Sequence, residues 1–164
     1  MKAEWTYCAE AICAACGSRC CFGAHPPLSP ERKQIIQSRR GSDEGIELDG
    51  YERLGIKEDG TCVMLAGKKC MIHAFKPETC VAGPFTFSVS DHTLEVFLKR
   101  EAICPLVAQL KCDHEVYEDQ FHTAVDRIMR LVNALSEEEL AIISAIPEDE
   151  TDLVARLPLH RDQS

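Results

Sequence analysis

Apolar positions follow different periods in different stretches of the chain. Phe85, Phe87 and Val89 alternate with Thr86 and Ser88, and Leu94, Val96 and Leu98 resume the alternation beyond Asp91-His92. A period of two on both sides of a short polar break predicts an antiparallel hairpin. Val63-Met64-Leu65 and Met71-Ile72 flank a Gly67-Lys68-Lys69 turn and predict a second, shorter hairpin that carries Cys62 and Cys70. After Cys104-Pro105 the period lengthens. Phe121, Val125, Ile128, Val132 and Leu135 recur at three- and four-residue spacing, one face of a helix. Ser136 with Glu139 forms a capping box for a last helix through Leu140 and Ile143, closed by Pro147.

Upstream, Ser29-Pro30-Glu31 reads as an N-cap, a proline at the first helical position and an acid in the first turn. That helix runs through Ile35 and Ile36 to Arg39-Arg40-Gly41, where basic residues and a glycine suit a C-terminus. Residues 41–60, rich in Gly, Asp and Glu, read as a surface connection, and residues 148–164 as a loosely held tail. Residues 8–21 show no period and read as a loop wrapped around something. There is no internal repeat. The expected fold class is α+β: a small cysteine-rich domain, residues 1–112, with short antiparallel hairpins, and a C-terminal helical extension, residues 113–164, packed on it.

Composition changes this picture in one respect. The chain has 164 residues and 45% apolar content, but only ten Phe, Trp and Tyr residues against ten cysteines. A core so poor in aromatics gains from a cross-link or a metal. The start, Met1-Lys2-Ala3-Glu4-Trp5-Thr6, offers no apolar stretch for a signal peptide, and no window approaches the roughly 18 apolar residues of a membrane span. A reducing, cytoplasmic setting is therefore expected, where clustered cysteines serve as metal ligands or redox groups rather than disulfides. The net charge of −9 argues against a nucleic-acid backbone as partner.

The cysteines are clustered. Cys13-Ala-Ala-Cys16 lets two thiolates point at one metal, a spacing used by both zinc and iron–sulfur sites. Gly17-Ser18-Arg19 leads to the vicinal Cys20-Cys21. Adjacent side chains diverge in most backbone conformations, so one of this pair is expected to ligate while the other packs, bridges or serves a second site. Cys62, Cys70 and Cys80 follow, then Cys104-Pro105. Arg19, Lys68-Lys69 and Lys76 lie beside three of these segments, where cations favour thiolates; solvated surface charge is the plainer account of each. His25 and His73 are candidate fourth ligands, although a single histidine is more often a core or surface residue. Cys8 and Cys112 read as ordinary small hydrophobes.

In this order the cysteines resemble the YkgJ-like cysteine-cluster family, described as zinc- or iron-chelating. Its signature is a Cys-x-x-Cys-x-x-Cys-Cys start, a lone Cys, Cys-x-Ile-Tyr and Arg-Pro-x-x-Cys. Here the counterparts are Cys13, Cys16, Cys20 and Cys21, then Cys62, Cys70 with Ile72, and Lys76-Pro77-Glu78-Thr79-Cys80; Cys104 looks like the family's later cysteine. The resemblance covers about residues 8–105. Three residues rather than two separate Cys16 from Cys20, His73-Ala74-Phe75 matches the Ile-Tyr neighbourhood imperfectly, and Lys76 replaces an arginine. Membership implies metal binding and little about a reaction, since the group also occurs fused to other activities such as flagellin lysine methylation.

The expected metal ligands are therefore Cys13, Cys16, Cys20, Cys21, Cys62, Cys70, Cys80 and Cys104. Thiolate coordination suits iron–sulfur clusters and zinc alike. The expected cofactor is a [4Fe–4S]-type cluster, with zinc as the alternative, because Cys104-Pro105 is similar to the Cys-Pro that ends bacterial ferredoxin runs. The leading function is electron transfer, metal delivery or redox-enzyme assembly with a protein partner. The competing readings are a structural zinc module and an accessory domain of a modification enzyme. No nucleotide loop, Ser-His-Asp arrangement or His-Glu-x-x-His pattern supports a catalytic centre. The metal is expected to stabilise residues 8–105, while the helical C-terminal part persists without it.

Overall fold

Ser29 begins the first helix as its sequence requires. In the computed structural model, which describes residues 11–13, 15, 16, 21, 23–147 and 150–160, its hydroxyl accepts from the Arg32 amide and caps α1, Pro30–Arg40. Gly41 closes α1 in the left-handed region at φ 69, and Ile36 is the residue that α1 buries.

The stretch expected to be a bare surface connection contains a small hairpin. β1 (Ile46–Leu48) and β2 (Glu52–Leu54) pair antiparallel with Ile46 opposite Leu54. Residues 26–28 lie along the other edge of β2, where the Leu28 amide donates to Glu52 O and the Leu54 amide to Pro26 O. Arg53 secures the hairpin by donating to Glu47 at 2.9 Å and Asp49 at 3.2 Å. These three-residue strands are too short for a period to stand out in sequence, although Leu54 and Ile46 pack with the first core.

The hairpin expected around Gly67 forms, in reduced size. β3 (Leu65–Ala66) pairs with β4 (Lys69–Cys70), Leu65 opposite Cys70, and Gly67 at φ 64 supplies the turn. Met71 still donates to Met64 O at 2.8 Å just beyond the strands. A 3-10 turn, His73–Phe75, then leads to the short helix α2, Glu78–Ala82.

β5 (Phe85–Ser90) and β6 (Thr93–Lys99) pair antiparallel from Phe85↔Leu98 to Ser90↔Thr93, with Asp91 at the turn. Alternate residues Phe85, Phe87, Leu94, Val96 and Leu98 are buried, as the period of two requires. The expected loose tail is instead a third strand. β7 (Thr151–Pro158) adds to the far edge of β6, with a register shift at Val96/Phe97. Backbone pairing and the cross-strand contacts Arg156–Glu95 and Arg100–Asp152 hold it. Most of its side chains are exposed, and only Ala155 and Leu157, followed by buried Leu159, turn toward the second core.

α3 (Leu106–Cys112) and α4 (His114–Ala134) follow, and α4 buries Ala124, Ile128, Leu131 and Val132. α5 (Glu137–Ser144) opens with the expected capping box: Ser136 Oγ accepts from the Glu139 amide, and Glu139 Oε1 from the Ser136 amide. Ser136→Ala removes one half of that reciprocal pair. We expect it to cost about 1 kcal/mol, read as a lower urea midpoint at unchanged slope.

The fold is α+β, and its buried apolar residues form two cores. The first gathers Leu28, Ile36, Leu54, Met64, Leu65 and Ile72 around Cys62. The second is larger and lies between the β5–β6–β7 sheet and the C-terminal helices, with Phe85, Leu94, Val96, Leu110, Ile128 and Leu131 among its members. α2 lies between the two in sequence and packs on α4. Among the described residues no helix is long and apolar enough to cross a membrane.

Candidate metal centre

The first cysteine segment is helical where it is described, not a loop. Residues 11–13 and 15 are helical, and the Cys16 amide donates to Ile12 O at 3.0 Å. Ala11 and Ala15 suit this, since alanine favours a helix without any apolar period to announce it. Cys13 and Cys16 stand three residues apart at this turn, the spacing that puts two side chains on one helix face. Both are half-buried.

Backbone pairing brings distant cysteines together. The Cys62 amide donates to Cys21 O at 2.7 Å, across 40 intervening residues, and the Gly23 amide donates to Gly60 O at 2.7 Å. Cys62 forms a bridge with Ile56, and the Leu65 amide donates to Cys62 O. Leu65 in turn faces Cys70 across the small hairpin. Cys62 is thus buried in the first core, with half-buried Cys21 and Cys70 packed against that same cluster. Just upstream, Asp59 accepts from both the amide and hydroxyl of Thr61, which hold its carboxyl below the usual range and fix the turn into Cys62.

Cys80 and Cys104 are placed elsewhere. Cys80 is exposed on α2, its amide bonded to Pro77 O. Cys104 packs half-buried against the second core at the start of α3. Cys112 is exposed at the end of α3, and Cys8, Arg19 and Cys20 lie outside the described residues. His25 is engaged on the first hairpin, with Nδ1 3.3 Å from Leu54 O and 3.8 Å from Glu47. His73 sits in the 3-10 turn three residues after Cys70. Lys68 and Lys69 are exposed beside Cys70.

Among the described residues no three Cys, His, Asp or Glu side chains converge closely enough to hold a metal ion. The chemistry of the donor set nonetheless fits one. Three sulfurs on an apolar core are soft ligands with little competing water, suited to zinc or iron and not to magnesium or calcium.

The matching family model is described as "CxxCxxCC: Putative zinc- or iron-chelating domain", and it covers residues 12–123, about two thirds of the chain. The chain belongs to the CxxCxxCC family. Metal binding of the zinc or iron kind comes with that membership. The family match runs past most of the cysteines through β5, β6 and α3 into the first half of α4, and ends before β7 and α5. No curated protein and no solved structure matches the chain.

Two buried polar residues of this CxxCxxCC domain were not singled out as functional in the sequence. Glu78 is 4% exposed and accepts from the Ser29 hydroxyl. Gln120 donates from Nε2 to Val81 O at 3.0 Å and Gly83 O at 2.9 Å. Glu78 reads in sequence as an ordinary first-turn acid and Gln120 as a polar position beside an apolar stripe. Only the tertiary neighbours bury them.

Proposed function

We propose that the cysteines hold an iron–sulfur cluster of the [4Fe–4S] type beside the first core, and that the protein uses it in electron transfer or in delivering metal or clusters to a partner enzyme. The Cys62 amide bonded to the Cys21 carbonyl carries this reading, because it joins the N-terminal cysteine segment to the segment holding Cys62 and Cys70. Cys13, Cys16, Cys20, Cys21, Cys62, Cys70, Cys80 and Cys104 are the candidate ligands. They exceed the four that one tetrahedral site or one [4Fe–4S] cluster needs. The surplus leaves thiols for a second site or for passing metal onward. A reducing cytoplasmic setting keeps such thiols available, and the net charge of −9 favours a protein partner over nucleic acid.

Anaerobic purification followed by metal analysis tests the proposal. Iron with acid-labile sulfide and absorbance near about 400 nm is the expected result. Stoichiometric zinc without iron would instead establish the structural zinc module. Serine substitution at Cys13, Cys16, Cys70 or Cys80 should lower bound metal per chain, whereas Cys112→Ser should leave it unchanged. Full metal content in both Cys70→Ser and Cys80→Ser would remove those residues from the ligand set.

A further inference from the structure

α2 has five residues, too few to persist as a helix without tertiary support. Buried polar bonds fasten it at both ends. At its N-terminal end, Ser29 and Glu78, each 4% exposed, form a hydrogen bond between elements 49 residues apart. Ser29 Oγ accepts from the Arg32 amide as the cap of α1 and donates its own proton to Glu78 Oε1. At the other end Gln120 of α4, 8% exposed, takes up the carbonyls of Val81 and Gly83. Arg32 adds a further tie from α1, donating to Phe75 O just before α2.

A carboxylate is an expensive way to fill this place. Glu78 Oε2 is buried and has no hydrogen-bond partner among the described residues, and a buried acceptor left unpaired lowers stability. An apolar side chain would fill the space without that cost. A fixed direction is what the carboxylate supplies and an apolar side chain does not. Cys80 lies between the two fastenings, two residues from Glu78.

We propose that Ser29 and Glu78 are a positioning pair for Cys80: their bond locks α2 to α1, which packs on the first core, and so fixes Cys80 relative to Cys21, Cys62 and Cys70. This rests on the metal-binding reading above and extends it to residues that touch no metal. α2 then joins the two cores, tied through Glu78 to Ser29 at the start of α1 and through the Val81 and Gly83 carbonyls to Gln120 of α4.

The test uses the full-length protein as isolated, compared with Ser29→Ala, Glu78→Ala and Glu78→Gln. Amide exchange is read in peptides covering 76–84 and 120–134, and zinc release from zinc-loaded protein is followed with a chromophoric chelator. Both alanine variants should exchange about tenfold faster in 76–84, and release zinc about tenfold faster, the size expected for loss of one buried hydrogen bond. Glu78→Gln keeps an acceptor for Ser29 and should match wild type, while 120–134 should be unchanged throughout. Unaltered exchange in both alanine variants overturns the proposal. Faster exchange with unaltered zinc release also overturns it, since the pair would then be structural alone. A wild-type protein that holds no metal and takes up no zinc removes the functional reading, and the metal half of this inference with it. The exchange comparison would still decide whether the lock exists.

Discussion

Removing the metal should loosen residues 23–75 while residues 106–144 keep their helical signal. The first core is small and holds no buried aromatic residue; its buried members are Leu and Ile residues, Met64 and Cys62. Its strands are two or three residues long, so few ladder hydrogen bonds support it. Closing loops between Cys21, Cys62 and Cys70 costs entropy that rises slowly with length, and thiolate–metal bonds made only in the folded state offset it. Structural zinc contributes on the order of 10 kcal/mol in small domains. The second core has no comparable need, because a three-stranded sheet and three helices bury apolar faces on each other.

The two cores also move the expected boundary. Sequence reading puts the metal-dependent part at residues 8–105, but β5 and β6 belong to the second core. Hydrogen exchange after chelation should therefore show lost protection in residues 62–72 and retained protection in 85–99. Equal protection of 62–72 with and without metal would make the metal an accessory to the fold. Loss in both segments together would show a single cooperative unit.

Phe85→Ala should be the most damaging single change in the second core, at about 3–5 kcal/mol. Phe85 is 1% exposed and meets Tyr117 edge-to-face at 5.6 Å and Phe121 at 5.7 Å. Such aromatic pairs add about 0.5–1.5 kcal/mol beyond their buried area, so truncation removes both contacts and leaves a cavity between β5 and α4. Stabilities of small domains are about 5–15 kcal/mol, and a loss of this size takes much of that. Urea unfolding followed by far-UV circular dichroism measures it. A loss below about 1 kcal/mol would mean that the site collapses around the gap. Cys21, Cys62 and Cys70 pack with the other cluster, so metal per folded chain should fall only through Cys104, which packs against Phe85's.

Local chemistry made much of the fold legible. Ser29-Pro30 and Gly41 bound α1, the Ser136–Glu139 box opens α5, and the Phe85–Leu98 alternation predicts the β5–β6 hairpin. Each of these signals acts within a few residues, through a cap, a turn or a period, so a single sequence carries it. The helical turn at Cys13 was missed because alanines favour a helix without forming a stripe. β1, β2 and β7 escape the sequence reading because few of their side chains are buried and charged pairs line the ribbons, so only a residue or two per strand marks a core-facing side.

The site divides in the same way. Cysteine order and spacing were enough to identify a metal-chelating chain, since thiol chemistry depends on residue type and the family signature is written in sequence. Only the tertiary structure decided which cysteines share a wall. Cys21 meets Cys62 through one amide-to-carbonyl bond across 40 intervening residues, and Cys104 goes to the other core. It also decided that Glu78 is buried against Ser29, because burial depends on which elements pack together and no local pattern encodes a neighbour 49 residues away.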